Sequence, residues 1–230
     1  MSQGKSTVLL EHHLKQLKLP SMLREYAAIA SVCAQDRSDY PTFLLRLCER
    51  ELLDRERRAA ERRVKNARFP VLKTLDTFDF KRIPSIKETL IRELLTGEYM
   101  DRRENLLLVG NSGTGKTHLA TALALAACHQ GRRVRFFTVT GLVTQLTEAR
   151  EEKQLERLLK FLQRQELLVL DELGYVPFSK LGAELLFEVV SRAYERLSLI
   201  VTTNLPFEQW TEVCGSERLT GAMLDRLTHR

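Results

Sequence analysis

No apolar run in this 230-residue sequence approaches the ~20 residues that a membrane-spanning helix needs. The first residues, Met-Ser-Gln-Gly-Lys, lack the apolar core of a secretory leader. The chain therefore reads as cytoplasmic, with no membrane partner. Cysteine is scarce. Cys33, Cys48, Cys128 and Cys214 lie far apart, without the close pairs of a zinc site. Most of them read as small buried hydrophobes in a reducing compartment. No Ser/His/Asp arrangement stands out, and His12-His13 has no further ligands beside it. The single tryptophan, Trp210, reads as a packing aromatic. Internal repeats and low-complexity tracts are also missing.

What remains is an ordinary soluble composition, 43% hydrophobic and 29% charged. Its length suits one large or two small domains. The net charge of +6 is unevenly placed. Residues 1–75 hold 15 Lys/Arg against 9 Asp/Glu, and the remaining 155 residues hold 21 of each. The whole excess lies in the first third of the chain, an electrostatic footprint for nucleic acid.

Residues 110–117 are Gly110, Asn111, Ser112, Gly113, Thr114, Gly115, Lys116 and Thr117. They fill every fixed position of a G-x-x-x-x-G-K-[ST] phosphate loop. Leu106 to Val109 reads as a strand before it, and His118 to His129 as a helix after it. Glycines let backbone N–H groups curl around phosphates, and the helix N-terminus adds partial positive charge. Lys116 reaches the β- and γ-phosphates of ATP, and the Thr117 hydroxyl ligates Mg²⁺. His118 borders the loop on the helix, is counted with it among the nucleotide-binding residues, and packs rather than reacts.

The chain before the loop is helical. Residues 8–33 carry apolar periodicity interrupted at Pro20-Ser21, and Tyr40-Pro41 marks a break. A long helix runs from Thr42 to about Ala67. Arg55, Arg58, Arg62 and Lys65 share one of its faces, widened by Arg57, Arg63 and Arg68. The face is either solvated and paired with Glu51, Asp54, Glu56 and Glu61, or it contacts phosphates. The positive balance favours DNA. Residues 74–84 read as an extended linker, in which Phe78, Phe80 and Ile83 are core plugs or the wall of an adenine pocket.

From residue 86 helices and strands alternate: helix 86–95, strand 106–109, helix 116–130 and strand 134–139. One or two helices follow over 141–163, then strand 167–170, helix 180–196 and strand 199–203. This alternation implies an α/β fold with a parallel sheet covered on both faces.

The strand Leu167–Leu170 delivers Asp171-Glu172 at its C-terminal end, where open parallel sheets bind ligands. The pair lies 54 positions after Thr117 (171 − 117). Asp171 is suited to the Mg²⁺ shell and Glu172 to polarising the attacking water. Asn204, after Leu199–Thr203, either hydrogen-bonds the γ-phosphate or orients the attacking water, or it caps a loop before Pro206. Arg226 is the first candidate for an arginine finger toward a neighbouring subunit, with Arg218 and Arg230 as alternates and a plain surface role still open.

Together these segments resemble the AAA+ ATPases of initiator and helicase-loader type. They are most similar to the IstB-like ATP-binding helpers of insertion-sequence transposases, and more distantly to DnaC-like helicase loaders. The marks are Glu104 to Ala120, Asp171 to Pro177, Thr203 to Phe207 with Gln209-Trp210, Leu224 to Arg230, and Leu17 to Pro20. The resemblance implies an all-α DNA-binding domain over 1–70, a linker over 71–85 and a P-loop AAA+ domain over 86–230. It further implies an ATP-built homo-oligomer on duplex DNA and delivery of that DNA to a transposase. The alternative partner is a replicative helicase. Residues 141–163 match the extra helical insert of that clade, with Arg150, Lys153 and Arg157, followed by Lys160 and Arg164, as a DNA-facing strip. The sequence stops at Arg230, where the family continues, so the C-terminal lid with its second sensor arginine is expected to be absent or truncated.

Overall fold

The computed structural model describes residues 3–84 and 86–229. They divide into two units, residues 1–61 and 62–230. The first unit contains α1 (Gln3–Gln16), α2 (Pro20–Gln35) and the larger part of α3 (Tyr40–Ala67). Leu14, Met22 and Leu47 form its buried centre, and Leu19, Leu23, Tyr26 and Phe43 pack around them. Tyr40-Pro41 starts a helix rather than breaking one, because Asp39 Oδ1 accepts the Thr42 N–H at 3.0 Å and proline fits a first turn.

Two carboxylates buried inside this unit tie α2 to α3. Glu51, 3% exposed, accepts the N–H groups of Ser21 and Met22 at 2.8 and 3.2 Å. It thereby caps a helix whose own N-cap residue, Leu19, has no side-chain acceptor. Asp54 accepts from the Ser21 hydroxyl at 2.8 Å and from Arg24 at 2.7 Å. Arg24 and Ser21 hold the Asp54 carboxyl down at about 2. Burial pushes Glu51 up, but the Met22 and Ser21 N–H groups and Arg55 outweigh it, and the net shift is down.

The second unit begins earlier than residue 70, because Val64, Ala67 and Phe69 pack into its own core. Its strands are β1 (Leu106–Val109), β2 (Val134–Thr138), β3 (Leu167–Leu173) and β4 (Ser198–Thr203). All neighbours are parallel, in the order β1-β4-β3-β2. Its helices are α4 (Glu88–Leu94), α5 (Glu98–Asp101), α6 (Lys116–His129), α7 (Val139–Glu151) and α8 (Leu155–Gln163). They are followed by α9 (Lys180–Ala193), α10 (Trp210–Cys214) and α11 (Glu217–Thr228).

Successive residues of the central strands face opposite layers, as the two-residue period requires. Leu167, Val169 and Ile200 pack with α6 residues such as Leu123 and Ala127. Leu168, Leu170, Leu199 and Val201 pack with Leu142, Leu159, Leu186 and Leu227. Both faces are covered, which is why β3 and β4 are apolar runs rather than alternating ones. Trp210 is fully buried in the second cluster, and its Nε1–H donates to the Leu205 carbonyl at 3.3 Å.

Several boundaries differ from the sequence expectation. Val139 opens α7 instead of ending β2, because Thr138 Oγ1 accepts the Gly141 N–H at 3.2 Å. β3 continues through Asp171 and Glu172 to Leu173, with a register irregularity between Leu170 and Leu173. Residues 74–84 are not extended. They form two 3₁₀ turns, Leu75–Thr77 and Phe80–Arg82, closed by Thr77 Oγ1 on the Thr74 carbonyl and by Asp79 Oδ1 on the Lys81 N–H. The region 141–163 is two helices whose apolar faces bury Leu142, Leu146, Leu159 and Leu162.

Candidate nucleotide site

The phosphate loop leaves the C-terminal end of β1 and enters α6, as strand, turn and helix. Gly115 sits in the left-handed region at φ +77°, and a Cβ there would lie 2.6 Å from Phe78 Cε2. Glycine is therefore required twice over, by backbone and by neighbour. Lys116 Nζ donates to the carbonyls of Gly110 and Asn111 at 2.7 and 2.8 Å, holding the loop closed. Burial lowers the Lys116 pKa, and the Asp171 charge opposes that shift. Thr114 Oγ1 braces the turn through the Asn111 carbonyl at 2.8 Å.

Asp171 is 3% exposed and lies at the floor of the site. Its Oδ1 accepts from Thr117 Oγ1 at 2.9 Å and from Thr202 Oγ1 at 2.5 Å. The Thr202 hydroxyl in turn accepts the Glu172 N–H at 2.9 Å. Glu172 has φ +62°, sparsely populated for a residue with a Cβ. The strand irregularity and the Thr202 bond hold it there, and its side chain is exposed. One cavity of about 320 Å³ is lined by Lys116, Thr117, Glu172 and Asn204 together, and also by Lys73 and Tyr175. A second, of about 520 Å³, adjoins the loop at Gly110, Thr114 and Lys116 and has apolar walls from Ile83, Ile86, Leu90 and Leu107.

These residues fit ATP with Mg²⁺. The Gly113 position, φ +78° with open space where a Cβ would stand, leaves the backbone accessible to phosphates. Thr117 and Asp171 supply the oxygen donors that a hard cation takes. The apolar cavity suits a purine ring beside a polar phosphate bed. Ile83 lines it, whereas Phe78 packs on Gly115, on Phe80 at 4.8 Å and on the His118 ring at 5.2 Å. His118 lines the smaller cavity, and its Nε2 lies 2.8 Å from the Thr74 carbonyl.

A family model of IstB-like ATP-binding proteins matches residues 12–230. The chain belongs to that family. It is 39% identical over 220 residues to an insertion sequence IS5376 putative ATP-binding protein of Geobacillus stearothermophilus, covering 96% of this chain and 88% of the relative. It is 39% identical over 220 residues to the IS21 putative ATP-binding protein of Pseudomonas aeruginosa, covering 96% and 83%. Among solved structures, the DnaC helicase loader superposes with TM-score 0.51 at 25% identity, over 72% of this chain and 89% of that one. AMPPCP-bound DnaA from Aquifex aeolicus superposes with TM-score 0.57 at 20% identity, over 65% and 46%, so the chain spans about half the length of that DnaA. This IstB-like protein therefore has the P-loop AAA+ fold of initiators and loaders.

Among the described residues, none of the other candidates lines either nucleotide cavity. Arg226 lines a groove of about 520 Å³ with Arg218, its Cζ 4.7 Å over the Phe187 ring and Nη1 on the Ala222 carbonyl at 2.8 Å. Arg230 lies outside the described residues. Arg55 is bound to Glu51 Oε1 at 3.0 Å and to the Lys18 carbonyl at 3.0 Å. Arg58 is bound to Glu51 Oε1 at 3.3 Å and to the Asp54 carbonyl at 3.0 Å. Both brace the carboxylates that tie α2 to α3. Arg63 Nε donates to the Cys128 carbonyl at 2.7 Å. Arg62 and Lys65 on α3, Arg150 on α7, Lys153 after it and Arg157 on α8 are exposed.

Sequence reasoning missed Thr202, Lys73 and Tyr175. Thr202 carried a signal, a hydroxyl in a buried apolar strand next to the one bearing Asp171. Tyr175 lay within the Asp171–Pro177 segment without a role assigned to it, and Lys73 carried no signal, because loop geometry alone brings it to the cavity.

Proposed function

We propose that this protein is a Mg²⁺-dependent ATPase that uses ATP to assemble on duplex DNA and to recruit or activate a partner transposase. The observation that carries the reading is the single cavity joining Lys116, Thr117, Glu172 and Asn204 above the buried Asp171. Thr117 and Asp171 would hold Mg²⁺, which would supply neutralisation of the phosphate charge. Lys116 turns from the loop carbonyls to the phosphate oxygens. Glu172 accepts a proton from the attacking water, and Asn204 orients that water or the γ-phosphate. Arg226, held against Phe187 in its own protomer, serves the nucleotide of a neighbouring one.

Assembly multiplies weak basic contacts along DNA, so avidity supplies affinity without base readout. Exposed Arg62, Lys65, Arg150, Lys153 and Arg157 contribute to that surface, with Arg63 beside them. Arg55 and Arg58 contribute with the part of each side chain that remains exposed, 50% and 36%. The insertion-sequence relatives, at 39% identity, support transposition over helicase loading. The test is a pull-down with the ATP-loaded protein on duplex DNA, offered the transposase of its own insertion sequence or a hexameric helicase. Capture of the transposase is expected, and capture of the helicase alone identifies a loader.

A further inference from the structure

A cavity of about 560 Å³ in the ATPase unit is lined by five cations and no carboxylate. Arg63 and Lys65 come from the end of α3, Arg68 from the residue after it, and Arg133 and Arg135 from the start of β2. The Phe161 ring of α8 forms an apolar wall. The cavity is distinct from the nucleotide cavities and shares no residue with them.

Like charges do not gather in a concave site without a cause, since each raises the cost of the next. The internal partners account for only part of this charge. Arg133 pairs with Glu166 at 3.5 Å and keeps 64% of its side chain exposed. Arg63 and Arg135 donate to backbone carbonyls, of Cys128 at 2.7 Å and Asn66 at 2.6 Å, which cancel no full charge. Arg135 Nε is buried with no hydrogen-bond partner, and burial and the Arg68 charge both disfavour its protonated form. Lys65 and Arg68 have no carboxylate partner among the described residues and are exposed. The negative end of α3 favours nearby cations by only ~0.3–1 kcal/mol each, too little to explain five.

We propose that this cavity is a phosphate site for the backbone of bound nucleic acid, built by the ATPase unit itself. Guanidinium forks match phosphate oxygens two by two, and a cluster with no facing carboxylate rejects cations and accepts successive phosphates. Arg133 and Arg135 lie outside every basic strip of the sequence, because only the fold brings β2 to the end of α3. The proposal rests on the reading that the protein binds DNA, and it adds where the ATPase unit touches the backbone.

The experiment is duplex-DNA binding by fluorescence anisotropy across a salt series, for the wild type, Arg68→Ala/Arg133→Ala and Lys65→Ala. Each phosphate contact contributes about 0.9 to the slope of log affinity against log salt. The double variant is expected to lose about 1.8 of slope and Lys65→Ala about 0.9, with ATP binding and thermal midpoint unchanged. A steep wild-type slope that the double variant retains overturns this site and leaves DNA binding standing. Absence of wild-type binding to duplex overturns the functional reading instead. A calorimetric titration with tripolyphosphate is the second arm. Tripolyphosphate binding lost in the double variant, with an unchanged DNA slope, identifies a small-polyphosphate site and overturns the nucleic-acid assignment.

Discussion

Thr202 Oγ1 donates to Asp171 Oδ1 at 2.5 Å, and the same oxygen accepts the N–H of Glu172 at 2.9 Å. One hydroxyl on β4 thus fixes both the residue suited to Mg²⁺ and the residue suited to the attacking water. It also holds Glu172 in a backbone conformation that costs of order 1–3 kcal/mol. Thr202→Val keeps the shape and removes both bonds. Losing a hydrogen bond to a buried carboxylate costs ~1.5–3 kcal/mol. The variant is expected to bind ATP and to hydrolyse it at least about tenfold more slowly. Thr202→Ser should restore turnover, and steady-state kinetics of the pair separate positioning from packing.

Gly115→Ala should fail where Gly113→Ala is tolerated better. Both positions are left-handed, at φ +77° and +78°, at ~1–2 kcal/mol for a residue with a Cβ. Only at Gly115 does the new methyl meet an aromatic ring, Phe78 Cε2 at 2.6 Å. Overpacking adds ~1–3 kcal/mol. Urea unfolding and fluorescent-nucleotide binding should therefore show a larger stability loss and weaker ATP binding for Gly115→Ala.

Lys116→Ala should abolish ATP binding, because the lysine is the cation facing both nucleotide cavities. Glu172→Gln should keep ATP and lose hydrolysis by ~10²–10⁴-fold, the usual weight of a general base. Its ATP-loaded complexes on DNA should live longer, as a dissociation chase would show. Wild-type turnover in Glu172→Gln would remove its role.

Asp54 makes the first unit acid-sensitive. Its carboxyl is held at about 2 when folded, against an ordinary 3.8, by Arg24 and Ser21. A lowered folded pKa contributes stability above the unfolded value that is lost as pH falls through the folded one. The stability gap between wild type and Asp54→Asn should therefore be full at pH 6 and shrink from about pH 4 to pH 2. Denaturant titrations at the two ends measure it.

Much of the site was legible because its parts are local. The loop at 110–117 and the acidic pair after Leu167–Leu170 are contiguous words with a strand on one side. The sheet was legible because β3 and β4 are buried on both faces and so read as apolar runs. What was illegible depends on tertiary approach. Arg55 and Arg58 read as a face either paired with Glu51 and its neighbours or open to phosphate, and only the tertiary approach of α2, which Glu51 caps, gives both arginines to that carboxylate. Residues 74–84 look extended, yet Phe78 must fold back onto Gly115 and His118. Their turns follow from that contact and from the Asp79 cap.

We propose that ATP bound at Gly110–Thr117 controls assembly on DNA. The most direct test is analytical ultracentrifugation of the protein with a labelled duplex, with and without ATP and Mg²⁺. ATP is expected to convert the DNA signal into a large, faster-sedimenting assembly of several protomers, and Lys116→Ala to leave it unconverted. The same sedimentation profile with and without ATP would contradict it.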